Sequence, residues 1–73
     1  MPAIPKHRKL IGENIRSCRK KAGLSQEELA EKADLHPVYI SQVERADRAI
    51  TIDALLRITK ALGVKLRDIV DDL

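Results

Sequence analysis

The stretch GLSQEELAEKADLHPVYISQVER, residues 23–45, decides the fold because it contains two short amphipathic helices joined by a very short connection. Ser25 and Glu28 have the spacing of a capping box, which predicts a helix over about 26–33. Pro37 suits the first position of a second helix, over about 37–45. Three residues remain for the turn, and its first residue, Asp34, is expected in or near the left-handed region.

Two helices joined by so short a turn form either a helix-turn-helix unit or a plain corner of a helical bundle. Leu29, Ile40 and Val43 are expected to be buried and to hold the two helices at a fixed angle. The outward side of the second helix carries Pro37, Val38, Ser41, Gln42 and Arg45. In a helix-turn-helix unit this side enters the major groove of DNA. The spacing alone leaves both interpretations open.

The rest of the chain contains three further predicted helices and no predicted strand, so the expected fold is a compact all-α domain of five helices. Apolar residues at helical spacing predict these helices over about 8–22, 52–62 and 66–71, and residues 1–7 are expected to form a flexible arm. The helix over 52–62 is apolar on two faces, which predicts a central position. With 73 residues and no Phe or Trp, the chain is one small domain with an aliphatic core.

The charge of the chain is unevenly distributed. Residues 1–23 hold seven Lys or Arg and one Glu, whereas residues 24–73 hold seven Lys or Arg and ten Asp or Glu. The two parts therefore carry +6 and −3, which sum to the net charge of +3. A basic segment of this kind favours a polyanion as partner, with nucleic acid ahead of a membrane surface. It is equally typical of an ordinary solvated helix.

The composition disfavours several other classes of protein. No apolar run approaches the ~18 residues of a membrane span, and residues 1–10 lack the apolar middle of a signal peptide. Two distant His, one Cys and no Gly-rich phosphate loop predict no enzyme, no metal site and no cofactor. No small-molecule ligand is expected. The lone Cys18 fits a reducing cytoplasm, where we expect the chain to associate with the nucleoid when it is bound to DNA.

Three stretches resemble one family of regulators in the order that the family requires. IGENIRSCRKKAGLSQEELAEKA (11–33), YISQVER (39–45) and TIDALLRITKALGV (51–64) are similar to the lambda-repressor and Cro type of helix-turn-helix regulators, including the xenobiotic-response-element-type bacterial repressors. The stretch LHPVYISQVERADRAIT (35–51) also resembles the controller proteins of restriction–modification systems. These resemblances imply a bacterial transcriptional regulator that binds a pseudo-palindromic operator in double-stranded DNA as a homodimer and acts by occupancy, as a repressor or an activator.

The resemblance to the regulators also implies roles for single residues. The residues that correspond to base-facing positions are Pro37, Val38, Ser41 and Gln42. Those that correspond to phosphate contacts are Gln26, Tyr39, Arg45 and Arg48. Gln26 could instead support the reading helix, and Gln42 and the two arginines could be ordinary surface residues. Pro37 has no donor and Val38 offers only apolar contact, so readout is expected to depend on few side chains.

The remaining expectations concern the ion pair, the dimer and the N-terminal segment. Arg19 and Glu44 correspond to an ion pair between the first and third helices, while Asp34 and Ala46 stand where the family usually has Gly. Residues 6–9, KHRK, form either an arm that enters a groove or a frayed tail. The alternative function is an antitoxin or another protein-interaction module that binds DNA secondarily. The dimer contact is expected in the last helix, through Leu66, Ile69, Val70 and Leu73.

Overall fold

The computed structural model describes residues 3–73 and contains five α-helices and no strand within that range. The helices are α1 (Lys6–Lys21), α2 (Gln26–Ala33), α3 (Pro37–Glu44), α4 (Ile52–Leu62) and α5 (Leu66–Val70). The predicted all-α fold of five helices is confirmed. α1 begins two residues earlier than predicted, and α1, α3 and α5 each end one residue earlier. Met1 and Pro2, the start of the expected arm, lie outside the described residues.

Local hydrogen bonds account for the ends of α2 and α4. The Ser25 hydroxyl accepts a hydrogen bond from the Glu28 N–H at 3.0 Å, and the Glu28 carboxylate accepts one from the Ser25 N–H at 2.9 Å. The second bond lowers the pKa of Glu28 from its ordinary value. The Thr51 hydroxyl accepts a hydrogen bond from the Ala54 N–H at 3.1 Å. Because these signals are local, they could be recognised in the sequence.

The turn between α2 and α3 has the geometry that the sequence predicts. Asp34 ends α2 in the left-handed region, with φ 56° and ψ 48°. The Leu35 N–H then donates to the Ala30 carbonyl at 2.9 Å, which reverses the chain toward α3. Arg57 of α4 donates to the Asp34 carbonyl at 3.2 Å. The turn is therefore tied to the body of the domain.

The core takes one fully buried aliphatic residue from each helix. These residues are Ile15, Leu29, Ile40, Ile58 and Ile69, all 0% exposed. Burying each such side chain contributes about 1.5–3 kcal/mol, so the loss of any one is a large fraction of the stability of so small a domain. Ile69 therefore belongs to the core of the single chain. Its predicted place in a dimer interface is wrong, because a residue with no exposed surface has none to offer a second copy.

α4 was predicted to be central because it is apolar on two faces, but the structure buries only one of these faces. Leu55 and Ile58 are buried, but Ile52 is 71% exposed and Leu56, one turn further on, is 49% exposed. Within residues 3–73, the other helices leave this second face exposed. None of the helices in the described range is long and apolar enough to cross a membrane.

α1 crosses the end of α3 at very close range, and Gly12 makes this approach possible. A Cβ atom added at Gly12 would lie 2.5 Å from the Val43 carbonyl oxygen and 2.8 Å from the Glu44 carbonyl oxygen. Both atoms belong to the backbone, so they cannot move aside as a flexible side chain could. This requirement for glycine was not predicted from the sequence.

Candidate nucleic-acid interface

α3 buries one side and leaves the other open. Ile40 and Val43 are buried in the core, whereas Val38 on the opposite side is 55% exposed. The other residues of this side are at least partly exposed: Pro37, Ser41, Gln42 and Arg45. We call these four residues and Val38 the reading face. A side with an exposed aliphatic group between polar groups can make both apolar contacts and hydrogen bonds with a partner.

The first turn of α3 is fixed by its cap. The Nδ1 atom of His36 accepts a hydrogen bond from the Val38 N–H at 3.1 Å, and Pro37 occupies a first-turn position where its missing N–H costs nothing. The N-terminal end of α3, which carries Pro37 and Val38, is therefore capped.

A buried ion pair joins α1 to the end of α3. Arg19 Nε donates to Glu44 Oε2 at 2.7 Å, and Arg19 Nη2 donates to Glu44 Oε1 at 3.0 Å. The hydrogen bond to Glu44 raises the pKa of Arg19 above its ordinary value. Arg19 Nη1 also donates to the Leu24 carbonyl at 2.8 Å, and Gln26 Nε2 donates to Glu44 Oε1 at 3.1 Å. The pair expected from the resemblance is thus present, and Gln26 extends it to the start of α2.

A second set of contacts ties the loop after α3 to the reading face. Arg48 Nε donates to Gln42 Oε1 at 2.8 Å, and the Arg48 guanidinium carbon lies 5.6 Å from the centre of the Tyr39 ring. The Tyr39 hydroxyl accepts a hydrogen bond from the Thr51 N–H at 3.1 Å. Arg48 and Gln42, for which the resemblance implied phosphate and base contacts respectively, are therefore direct neighbours.

All four residues predicted to contact phosphates make contacts within the chain. Gln26 bonds Glu44, Tyr39 bonds Thr51, Arg48 bonds Gln42, and Arg45 Nε lies 3.0 Å from Asp47 Oδ2. Each contact uses only part of the side chain's capacity. The Gln26 amide has a second hydrogen, the Tyr39 hydroxyl keeps its own proton, and both arginines carry four further N–H groups. These side chains are thus oriented and still able to donate.

Two further features lie in the loop after α3 and in the N-terminal segment. Ala46, where the family usually has Gly, adopts φ 62° and is only 4% exposed, a left-handed conformation that is costly for a residue with a Cβ. Residues 6–9 lie in the first turns of α1, so they are neither an extended arm nor a frayed tail. Within residues 3–73, no group of three His, Cys, Asp or Glu is placed to hold a metal ion.

A capped helix with an exposed reading face, set against a preceding helix by a short turn, is the arrangement of a helix-turn-helix domain. Comparison with known families agrees, since the helix-turn-helix family model matches residues 15–69, and the chain belongs to this family. It is a DNA-binding transcriptional regulator.

Individual relatives include a control protein and two solved regulators. The control protein C.BamHI of Bacillus amyloliquefaciens is 45% identical over 65 residues, which are 88% of this chain and 80% of that protein. The restriction-modification controller protein C.AhdI of Aeromonas hydrophila has a TM-score of 0.83 and 32% identity, with 85% of this chain and 94% of that chain covered. The clp gene regulator ClgR of Corynebacterium glutamicum has a TM-score of 0.88 and 30% identity, with 96% of this chain and 74% of that chain covered. The resemblances to regulators and to controller proteins are confirmed.

Proposed function

We propose that α3 is the reading helix and that Val38, Ser41 and Gln42 contact base edges in the major groove. The observation that carries this proposal is the open reading face of α3. The His36 cap holds the start of this helix, and the Arg19–Glu44 ion pair holds its end. Val38 fits a thymine methyl. Because Arg48 already bonds Gln42 Oε1, the amide nitrogen of Gln42 is the atom best placed to reach an acceptor on a base. Pro37 contributes shape and apolar contact only.

The side chains around this face hold the DNA backbone. Gln26, Tyr39, Arg45 and Arg48 keep donors after their contacts within the chain, and phosphate oxygens accept such bonds. The N-terminal end of α2, where Gln26 lies, adds a favourable dipole for an anion. Affinity then comes mainly from these contacts and depends on salt, whereas sequence preference comes from Val38, Ser41 and Gln42.

DNA binding tests both groups of residues. Duplexes selected from a random library by the wild-type protein supply the operator, and an unselected duplex supplies the comparison. Gln42→Ala is expected to cost roughly 1–3 kcal/mol on the selected duplex and little on the random one. Arg45→Ala is expected to weaken both alike and to reduce the salt slope by about one unit. If Gln42→Ala weakens both duplexes equally, α3 does not read bases as proposed.

The regulator acts as a homodimer on a pseudo-palindromic site. Two copies related by a two-fold axis place their reading helices about 34–36 Å apart, one turn of DNA. The surface that supports a second copy is apolar and exposed: Ile52 and Leu56 on α4, and Leu66 and Leu73, which are 41% and 54% exposed, at the C-terminal end. Val70 is half-buried and can join them. With Ile69 in the core, the proposed contact moves from α5 alone to α4 and α5 together.

Sedimentation separates this dimer contact from the core. Leu56→Asp and Leu66→Asp are expected to yield a folded monomer, because each places a charge where a second copy would bury it. Ile69→Asp is expected to unfold the chain instead, since its carboxylate would stand in the core of the single copy. A wild type that remains monomeric at micromolar concentration, or a Leu66→Asp variant that remains dimeric, would contradict the assignment.

The kinship with controller proteins supports a finer proposal, that the chain regulates restriction–modification genes by occupying an operator near its own gene. The support is the identity of 45% with C.BamHI over most of both chains. Footprinting of the promoter region upstream of the gene is expected to protect an inverted repeat that matches the selected duplexes. Protection elsewhere only would reject this placement while leaving the DNA-binding activity intact. Stable co-purification with another protein, without DNA affinity, would favour an interaction module instead.

A further inference from the structure

A small cavity of about 80 Å³ lies between the first turns of α1 and the loop that follows α3. Ile11 and Val43 form part of an apolar floor, and the rest of the lining consists of His7, Arg8, Arg48, Ala49 and Ile50. The charged residues of the lining are both arginines. A volume of this size accommodates two to three water molecules at about 30 Å³ each, or one group of similar size such as a phosphate.

Arg8 points to an anion as the occupant. Its Nε atom is buried, and no atom of residues 3–73 accepts a hydrogen bond from it. Buried polar groups are nearly always bonded, so an unsatisfied donor on a charged side chain requires an explanation such as a missing ligand. With two guanidinium groups and no carboxylate in the lining, the complementary acceptor is negatively charged.

The position of the cavity relates it to DNA. Arg48 lines the cavity and also bonds Gln42 on the reading face, so the cavity is one side chain away from the proposed base contacts. We propose that the cavity is a binding site for one phosphate of the DNA backbone, held by Arg8 of α1 together with Arg48. This inference depends on the proposed function and extends the DNA contact to α1, a helix outside the helix-turn-helix unit. It also assigns a role to the KHRK segment, which was expected to be an arm or a tail.

Salt dependence of DNA binding tests the proposal. Each phosphate contact contributes about 0.9 to the slope of log affinity against log salt. Arg8→Met, which keeps an unbranched apolar stem but removes the donors, is expected to lose one such contact per protomer. A fourfold rise in salt should then weaken each wild-type half-site about threefold to fourfold more than that of the variant. The loss should be the same on selected and random duplexes, because a phosphate contact carries no sequence information.

Arg16→Met is the matched control, because Arg16 is an exposed arginine two turns further along α1. It is expected to leave the slope unchanged. Ethylation interference locates the contact: Arg8→Met should tolerate ethylation of one phosphate per half-site that blocks the wild type. Thermal melts check the folding of both variants, and Arg8→Gln replaces Arg8→Met if the latter does not fold.

Each other outcome has a definite meaning. Equal changes in the salt slope of Arg8→Met and Arg16→Met would reflect the overall charge of the protein and would overturn the proposal. An unchanged salt slope in Arg8→Met would also overturn it. If inorganic phosphate alone shifts the amide signals of Ala49 and Ile50 while the slope of Arg8→Met is unchanged, the cavity binds a free anion and the assignment to DNA is overturned. A wild type that binds no duplex rejects the proposed function itself. A wild type that reads DNA through Gln42 while Arg8→Met has no effect rejects only the cavity.

Discussion

Gly12→Ala is the substitution whose effect the structure defines most sharply. The added Cβ would lie 2.5 Å from the Val43 carbonyl oxygen, whereas carbon–oxygen contacts are about 3.3 Å or longer. One helix must therefore shift by roughly 0.8 Å, the difference between these distances. The atoms that block the methyl group are backbone atoms in the last turn of α3, and the side chain of Glu44 is bonded to Arg19 of α1.

Two opposing terms give the magnitude of this effect. Alanine is about 1 kcal/mol better than glycine inside a helix, which favours the variant. Overpacking a close contact costs about 1–3 kcal/mol, and a clash with two carbonyl groups belongs at the upper end or above it. The expected result is a net loss of about 2 kcal/mol, which is a substantial part of the stability of a domain of this size.

Urea unfolding followed by circular dichroism measures this loss. Ser17→Ala is the matched control, because Ser17 is exposed on the same helix and its replacement isolates the gain in helix propensity. The control should be as stable as the wild type or slightly more stable. The reasoning fails if Gly12→Ala is also as stable as the wild type, because the two helices would then not be in obligatory close contact.

Three further predictions concern stability. In a double-mutant cycle, Arg19→Met and Glu44→Gln should show a coupling energy above the ~0–1 kcal/mol of a surface pair, because the two side chains are 11% and 2% exposed. A coupling energy near zero would contradict the packing of α1 on α3. Asp34 is exposed and has φ 56°, a left-handed conformation that Gly adopts easily and Val does not. Asp34→Gly should therefore raise the free energy of unfolding in urea by roughly 0.5–1 kcal/mol, and Asp34→Val should lower it. The opposite order would argue against a left-handed turn. The pKa of Glu28 is lowered by folding, so its contribution to stability is present above the unfolded pKa and is lost as the pH falls through the folded pKa. Glu28→Gln should therefore reduce the melting temperature at neutral pH and remove part of its decline in acid, and parallel declines in both proteins would count against the capping box.

The elements that could be predicted from sequence are those whose determinants lie close together in the chain. The capping box of α2 needs only Ser25 and Glu28, three residues apart, and the left-handed turn needs only Asp34 at the end of a periodic helix. The Arg19–Glu44 pair is a long-range contact across 25 residues, and it was expected only because the resemblance to a known family supplied the pairing.

The remaining features depend on how the helices are arranged, which periodicity does not contain. Ile69 has helical spacing with Leu66 and Leu73, yet only Ile69 is fully buried, because α5 is short and packs only Ile69 and part of Val70 against the core. The same limitation applies to Leu56, because residues 3–73 leave its face of α4 about half exposed. Gly12 has an ordinary position in a helical sequence, and only the proximity of the α3 carbonyls explains why no side chain is present there.

The network of Arg19, Glu44 and Gln26 has a consequence for the kinetics of binding. It joins α1, the start of α2 and the end of α3 through charge-assisted hydrogen bonds of 2.7–3.1 Å. Under the proposed function, this network orders α3 before the protein meets DNA, so little free energy is used to order the helix during association. The association rate is then set by diffusion, orientation and the attraction of the basic first third of the chain to DNA, and it should fall steeply with ionic strength. Discrimination between sites appears in the dissociation rate, and a regulator of this kind can sample many sequences quickly and remain only where its side chains match.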